Sequence, residues 1–167
     1  MTADEIIARL RLQPHAREGG FFRETYRADE CIAIEALPAR YRGPRALGTA
    51  IYYLLTPETC SALHRLRSDE IFHFYAGDPV EMLQLLPDGS GRTIILGADL
   101  ASGMEPQVTV PAGVWQGARL RAGGAWALLG TTVAPGFDYE DYESADGTSL
   151  SAAYPEFRSQ IEELVPG

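Results

Sequence analysis

The chain has no apolar run approaching the ~18–20 residues that a membrane-spanning helix needs. It also lacks a basic N-terminal stretch followed by an apolar block; Asp4 and Glu5 stand there instead. That argues against a secretory signal and for a cytoplasmic protein without a membrane partner. Cysteine is nearly absent. Cys31 and Cys60 make no metal or redox motif and read as small buried apolar residues in a reducing compartment. Positive charge is short too: 14 basic against 23 acidic residues leave a formal net charge of −9. Such a chain repels phosphate backbones, so no nucleic-acid partner is expected. The local group Arg40, Arg42 and Arg45 reads as a solvated loop. There is no internal repeat, linker or low-complexity stretch.

What is present is enough for one compact domain spanning residues 1–167. With 46% hydrophobic and 22% charged residues, the composition is that of a globular protein able to bury a core. Thr2-Ala3-Asp4-Glu5 forms a capping box, and Ile6, Ile7 and Leu10 give one apolar helical face. Pro14 then stops this helix near Leu12. From Gly19 to about Thr132 the pattern is β. Strand formers cluster at 21–26, 49–55, 72–75, 80–86, 93–96, 108–110 and 125–129. Turn residues separate them, among them Gly43-Pro44, Gly77-Asp78-Pro79, Asp88-Gly89 and Gly123-Gly124. Short strands with such punctuation and no helices between them mean an all-β sandwich or barrel. The 49–55 strand is apolar on both faces, so its outer face needs cover; a homodimer interface is the expected source. The acidic, aromatic segment from Pro135 to Glu143 reads as a loop or edge strand, and residues 149–165 as helix, with Pro155 opening its second part.

Chemistry concentrates between Ser61 and Gly77. A titratable side chain on an apolar strand costs free energy unless it is paired or used. Alternation puts Cys60, Ala62, His64 and Leu66 on one inward face, and Glu70, Phe72 and Phe74 on another. His73 falls on the face opposite Glu70 and reads as structural or interfacial. The bland alternative for Glu70 is a buried ion pair with Arg23 or Arg65. Glu24 and Tyr26 alternate with Phe22 and are candidates to enter the same pocket. Phe72 and Phe74, mostly core, would at best line its floor.

His64, Glu70 and Gly77 match most of the first cupin motif, and Pro111-Ala112-Gly113 with Gln116 resembles the second. With Pro14-His15, Gly19 to Arg27, Val110 to Trp115 and Val133 to Glu143, the chain is similar to the uncharacterised cupin 5 subfamily. That resemblance implies a double-stranded β-helix (jelly-roll) barrel with short terminal helices, usually dimeric, around a central pocket. It supplies no known reaction. Metal-binding cupins use three histidines and a glutamate from these motifs. Here Leu66 replaces the second histidine and Gln116 the last, leaving His64 and Glu70 as a weak divalent-metal pair; no cofactor is expected. In metal-independent cupin epimerases a histidine base and a tyrosine acid move the proton. By that analogy His64 acts as base or acid, Glu70 orients it or shares its proton, and Tyr53 or Tyr26 is the tyrosine acid. Gln116 and Trp115 would flank the pocket mouth. The expected function is binding of a small molecule, with epimerisation or isomerisation of a sugar-like or carbonyl compound. The alternatives are a non-catalytic metabolite binder and a metal-dependent dioxygenase or hydrolase.

Overall fold

The structure is a computed structural model that describes residues 1–165. Helix α1 (Ala3–Leu10) opens the chain and α2 (Gly147–Ala153) and α3 (Arg158–Leu164) close it. Between them run β1 (Gln13–Pro14), β2 (Phe21–Arg27), β3 (Cys31–Ile32), β4 (Arg45–Ala46), β5 (Thr49–Leu55) and β6 (Cys60–Arg65). There follow β7 (Asp69–Gly77), β8 (Val80–Leu85), β9 (Gly91–Leu96), β10 (Gln107–Val110), β11 (Trp115–Leu120), β12 (Ala127–Ala134) and β13 (Glu143–Ser144). No helix among the described residues is long and apolar enough to cross a membrane.

Two antiparallel sheets carry the fold. One has six strands in the order β1-β2-β5-β12-β7-β10, the other five in the order β13-β6-β11-β8-β9. Apart from the consecutive pairs β1–β2 and β8–β9, neighbours in each sheet are not consecutive along the chain, as in a two-sheet jelly roll. Inward residues from both sheets, including Tyr53, Leu55, Phe72, Met82, Leu96 and Leu129, make the central core. Strand β11 escaped the sequence pattern because Gly117 and Ala118 interrupt its strand formers. A Cβ at Gly117 would come within 3.1 Å of the Ser61 carbonyl oxygen, so a side chain there would press on the facing strand.

The helices cover the outer faces. The Thr2 hydroxyl accepts from the Glu5 amide while the Glu5 carboxylate accepts from the Thr2 amide, the reciprocal cap read from the sequence. Helix α1 lays Ile6 on Leu54, which is fully buried. The chain therefore supplies part of the outer cover that the β5 pattern demanded and that had been expected from a second copy. Leu63, Leu83 and Leu85 of the other sheet lie under Leu150, Tyr154, Ile161 and Leu164 of the C-terminal helices. Each such side chain contributes about 1.5–3 kcal/mol by leaving water.

Two local readings change. Cys31 is exposed and Cys60 only half-buried, so neither is a core residue in the sense expected; Cys31 sits on a two-residue strand of the small β3–β4 sheet. Arg45 is not in a solvated loop. It is buried and clamps Asp141 through Nε–Oδ2 and Nη2–Oδ1 contacts of 2.7 Å each.

Candidate functional site

A cavity of about 250 Å³ opens between the sheets, bounded by His64, Glu70, Glu18, Phe22, Arg27 and Tyr139 among others. Two bulges shape it. In β6 the residues Ala62 and Leu63 stand opposite the single residue Gly117, since Gln116 pairs with His64 and Ala118 with Ser61. The extra residue turns Ser61 to the same side as His64 and sends Cys60 outward with Leu63 toward the C-terminal helices. In β2 the extra residue is Thr25, between the pairs Glu24–Ile51 and Tyr26–Ala50. Phe22, Glu24 and Arg27 consequently line the cavity, whereas Tyr26 is exposed.

His64 is fully buried. Its Nδ1–H donates to the Ala62 carbonyl at 2.7 Å, and its ring stacks on Tyr142 with centroids 4.9 Å apart. Nε2 then faces two carboxylates, Glu18 Oε2 at 3.9 Å and Glu70 Oε2 at 4.0 Å. Burial alone would push the imidazole down. The negative charges of Glu18 and Glu70 and the bond to Ala62 outweigh it, so the group is raised to about 9 and is an imidazolium near neutrality. Each carboxylate is held in turn: Glu18 Oε1 accepts from the Ser61 hydroxyl at 2.6 Å, and Glu70 Oε2 accepts from the Gln116 amide at 2.7 Å. Glu18 reaches the site because its loop lies directly on β6, where the Ala62 amide donates to the Glu18 carbonyl at 2.8 Å. Gly19, at φ +89°, permits that approach; a Cβ there would sit 2.5 Å from the Cys60 carbonyl oxygen.

His15 lies on the cavity wall edge-on to Phe22, and its Nδ1 accepts from the Glu18 amide at 2.9 Å. Burial lowers its proton affinity, so it stays neutral where His64 is charged. The histidines thus act in opposite senses on stability. The raised His64 contributes most below pH ~6.5 and loses about 3 kcal/mol as pH climbs to 9. The lowered His15 contributes above pH ~6.5 and loses as pH falls. Urea titrations across pH 5–10 are expected to show greatest stability near pH ~6.5, and His64→Gln to flatten the alkaline limb. An unchanged alkaline limb in that variant would contradict the assignment.

The remaining sequence candidates divide. Glu70, Glu24 and His64 line the cavity, and Gln116 stands behind Glu70 as its hydrogen-bond donor. Glu70 pairs with neither Arg23 nor Arg65; Arg65 binds Glu143, and Arg23 lies over the Tyr52 ring. Tyr53 is inside the core with its hydroxyl donated to the Gly19 carbonyl at 2.8 Å, and burial raises it well above the usual phenol range. Phe72 is core and Phe74 packs on its edge. Trp115 is turned outward beneath the Arg65 guanidinium, and His73 bonds Thr132 across neighbouring strands. Sequence reasoning missed Glu18, Arg27, Phe137, Asp138, Tyr139 and Tyr142. The available signal was a loop from Pro135 to Glu143 richer in aromatics than a solvated loop needs.

The donor set does not suit a cupin metal. Leu66, a hydrocarbon, lines the cavity where the motif has its second histidine. His64 and Glu70 are then two of that motif's four ligands, and Gln116 offers an amide oxygen, a poorer ligand than imidazole, in place of the last histidine. Among the described residues no group of three His, Cys, Asp or Glu side chains could hold a metal ion. Elemental analysis of protein purified without immobilised metal is expected to find less than ~0.1 equivalent of any first-row metal. A stoichiometric metal would reverse this conclusion. Two buried atoms here, Gln116 Oε1 and the Tyr142 hydroxyl, have no hydrogen-bond partner among the described residues, a state that costs about 1–3 kcal/mol each.

The family model described as Cupin superfamily (DUF985) matches residues 4–145. The uncharacterized protein YML079W of Saccharomyces cerevisiae is 30% identical over 154 residues, covering 87% of this chain and 76% of its own. A hypothetical protein from Leishmania major superposes with a TM-score of 0.89 at 33% identity over the full length of both chains. Protein SO0799 from Shewanella oneidensis gives 0.86 at 36% identity, covering 99% of this chain and 98% of its own. Oxalate decarboxylase from Bacillus subtilis matches with a TM-score of 0.55 at 14% identity, over 93% of this chain and 40% of its own, a likeness of fold alone.

Proposed function

The chain belongs to the DUF985 family of the cupin superfamily, and from that premise we propose that it binds a small organic molecule beside His64 and moves a proton within it. The carrying observation is the placement of His64 Nε2 between the carboxylates of Glu18 and Glu70. An imidazolium and a carboxylate opening on one cavity are a matched acid and base. The chain contains no lysine, so carbonyl activation by a lysine Schiff base is unavailable to it.

The step that suits these groups is proton abstraction next to a carbonyl. Glu70, whose Oε1 takes no hydrogen bond from the described residues, accepts the C–H proton. His64 Nε2 gives its proton to the carbonyl oxygen as the enol forms. Return of a proton to carbon from Glu70, and of the enol proton to His64, yields the epimer or isomer with no net change in either side chain. Glu18 holds the imidazole charged. Tyr53, tied to Gly19 inside the core, takes no part in this scheme.

The test is solvent-deuterium wash-in. A panel of 2-hydroxy and 2-amino carbonyl compounds is incubated with the protein in D2O and followed by proton NMR. At least one compound is expected to exchange its α-proton, and His64→Gln and Glu70→Gln to suppress that exchange. A compound that binds in the cavity without exchanging would favour the non-catalytic metabolite binder. Exchange that survives both substitutions would end the acid–base assignment.

A further inference from the structure

We propose that the cavity selects a small organic cation, a protonated amine on a compact and largely apolar body, over neutral or anionic ligands. This deepens the reading above and rests only on its first half, that the cavity is the ligand site. At the floor, the carboxylates of Glu18 and Glu70 face one histidine cation. At the mouth, Glu24 and Asp138 face one arginine, Arg27. Arg27 is already taken: its Nε and Nη2 donate to both Glu24 oxygens at 3.1 and 2.7 Å, and it also donates to the Phe137 carbonyl at 3.2 Å. Asp138 makes no ion pair within 4 Å among the described residues; its Oδ1 accepts only from the Glu140 amide, at 2.8 Å. Floor and mouth therefore each keep an excess negative charge.

Among the described residues no further cation lines the cavity: Arg45 is bound by Asp141, and Arg17 lies over the Tyr139 ring, 5.1 Å from its centroid and outside the lining. The wall between floor and mouth carries the rings of Phe22, Phe137 and Tyr139. Aromatic faces attract cations, and an apolar wall strengthens charge interactions by excluding water. The chain's net charge of −9 draws cations toward the opening. An anion would meet the carboxylates of Glu18, Glu70 and Asp138, while among the described residues the arginine that lines the cavity, Arg27, is already bound to Glu24.

The test is calorimetric titration with three probes of one shape: cyclohexylamine, cyclohexanol and cyclohexanecarboxylate, at pH 7.5 and low salt. The amine is expected to bind at least ~10-fold more tightly than the alcohol, and the carboxylate not to bind measurably. Glu18→Gln and Asp138→Asn are each expected to weaken the amine about five- to tenfold and to leave the alcohol unchanged. Both substitutions keep the acceptor oxygens used by Ser61 and Glu140, so folding is preserved, and a thermal melt checks it. Equal binding of amine and alcohol, tighter binding of the carboxylate, no binding of any probe, or an amine affinity indifferent to both substitutions would each overturn the proposal. Failure of deuterium exchange with the amine preference intact would overturn proton transfer alone.

Discussion

Asp141→Ala is expected to cost about 3–5 kcal/mol of folding free energy, which for a chain of this size lowers the melting temperature by roughly 6–20 °C. The Arg45 and Asp141 side chains are 3% and 2% exposed. The hydrogen bonds to Asp141 hold Arg45 above the ordinary arginine range against the opposing effect of burial. Among the described residues, truncating the aspartate leaves a guanidinium in the interior with the Pro44 carbonyl, a long 3.4 Å contact to Glu140 and the Tyr41 ring 5.6 Å away. The penalty is the uncompensated charge, so removing both partners is the informative control. Arg45→Met with Asp141→Leu is expected to recover most of the loss. The effect should reach the site, because Asp141 lies between Tyr139, which walls the cavity, and Tyr142, which stacks on His64. Ligand affinity should fall with the single substitution even at temperatures where the protein stays folded. A urea-derived loss below ~1 kcal/mol would show that water relieves the arginine.

Glu70→Gln is expected to slow solvent exchange into a substrate by about 10²–10⁴-fold, the usual worth of a positioned acid–base group. The amide can still accept from Gln116, so the side chain should stay in place. Two functions are lost together: the base itself, and one of the two charges that keep His64 protonated. The second loss gives a signature that mere damage would not. Wild-type exchange should persist until pH approaches about 9 and then decline as the imidazolium deprotonates. In Glu70→Gln the residual exchange should decline at lower pH, because burial is then opposed by Glu18 alone among the carboxylates. A residual rate whose alkaline limb coincides with the wild type would mean that Glu70 does not set the histidine's charge.

Local patterns in the chain determined much of this protein. Thr2 and Glu5 cap one helix with groups three residues apart, and glycines and prolines end strands where they stand. Alternation sent Glu70 and Phe72 inward, and His64 was recognised as a polar group on an apolar strand. An all-β sandwich or barrel was legible because strand period and turn chemistry are encoded within a few residues, and the resemblance to cupins narrowed it to the jelly roll. Tertiary structure alone decided which polar groups meet. The extra residue Thr25 turns Arg27 into the cavity and Tyr26 away from it, and the pair Ala62–Leu63 sets Ser61 beside His64. A bulge is a property of two paired strands, and β2 and β6 acquire theirs against partners far along the chain. The same holds for Glu18 and the 137–142 loop, which bond or stack with residues 43 to 88 positions away. Their contacts reward folding only after the sheets have closed, so no short window of sequence carries the preference.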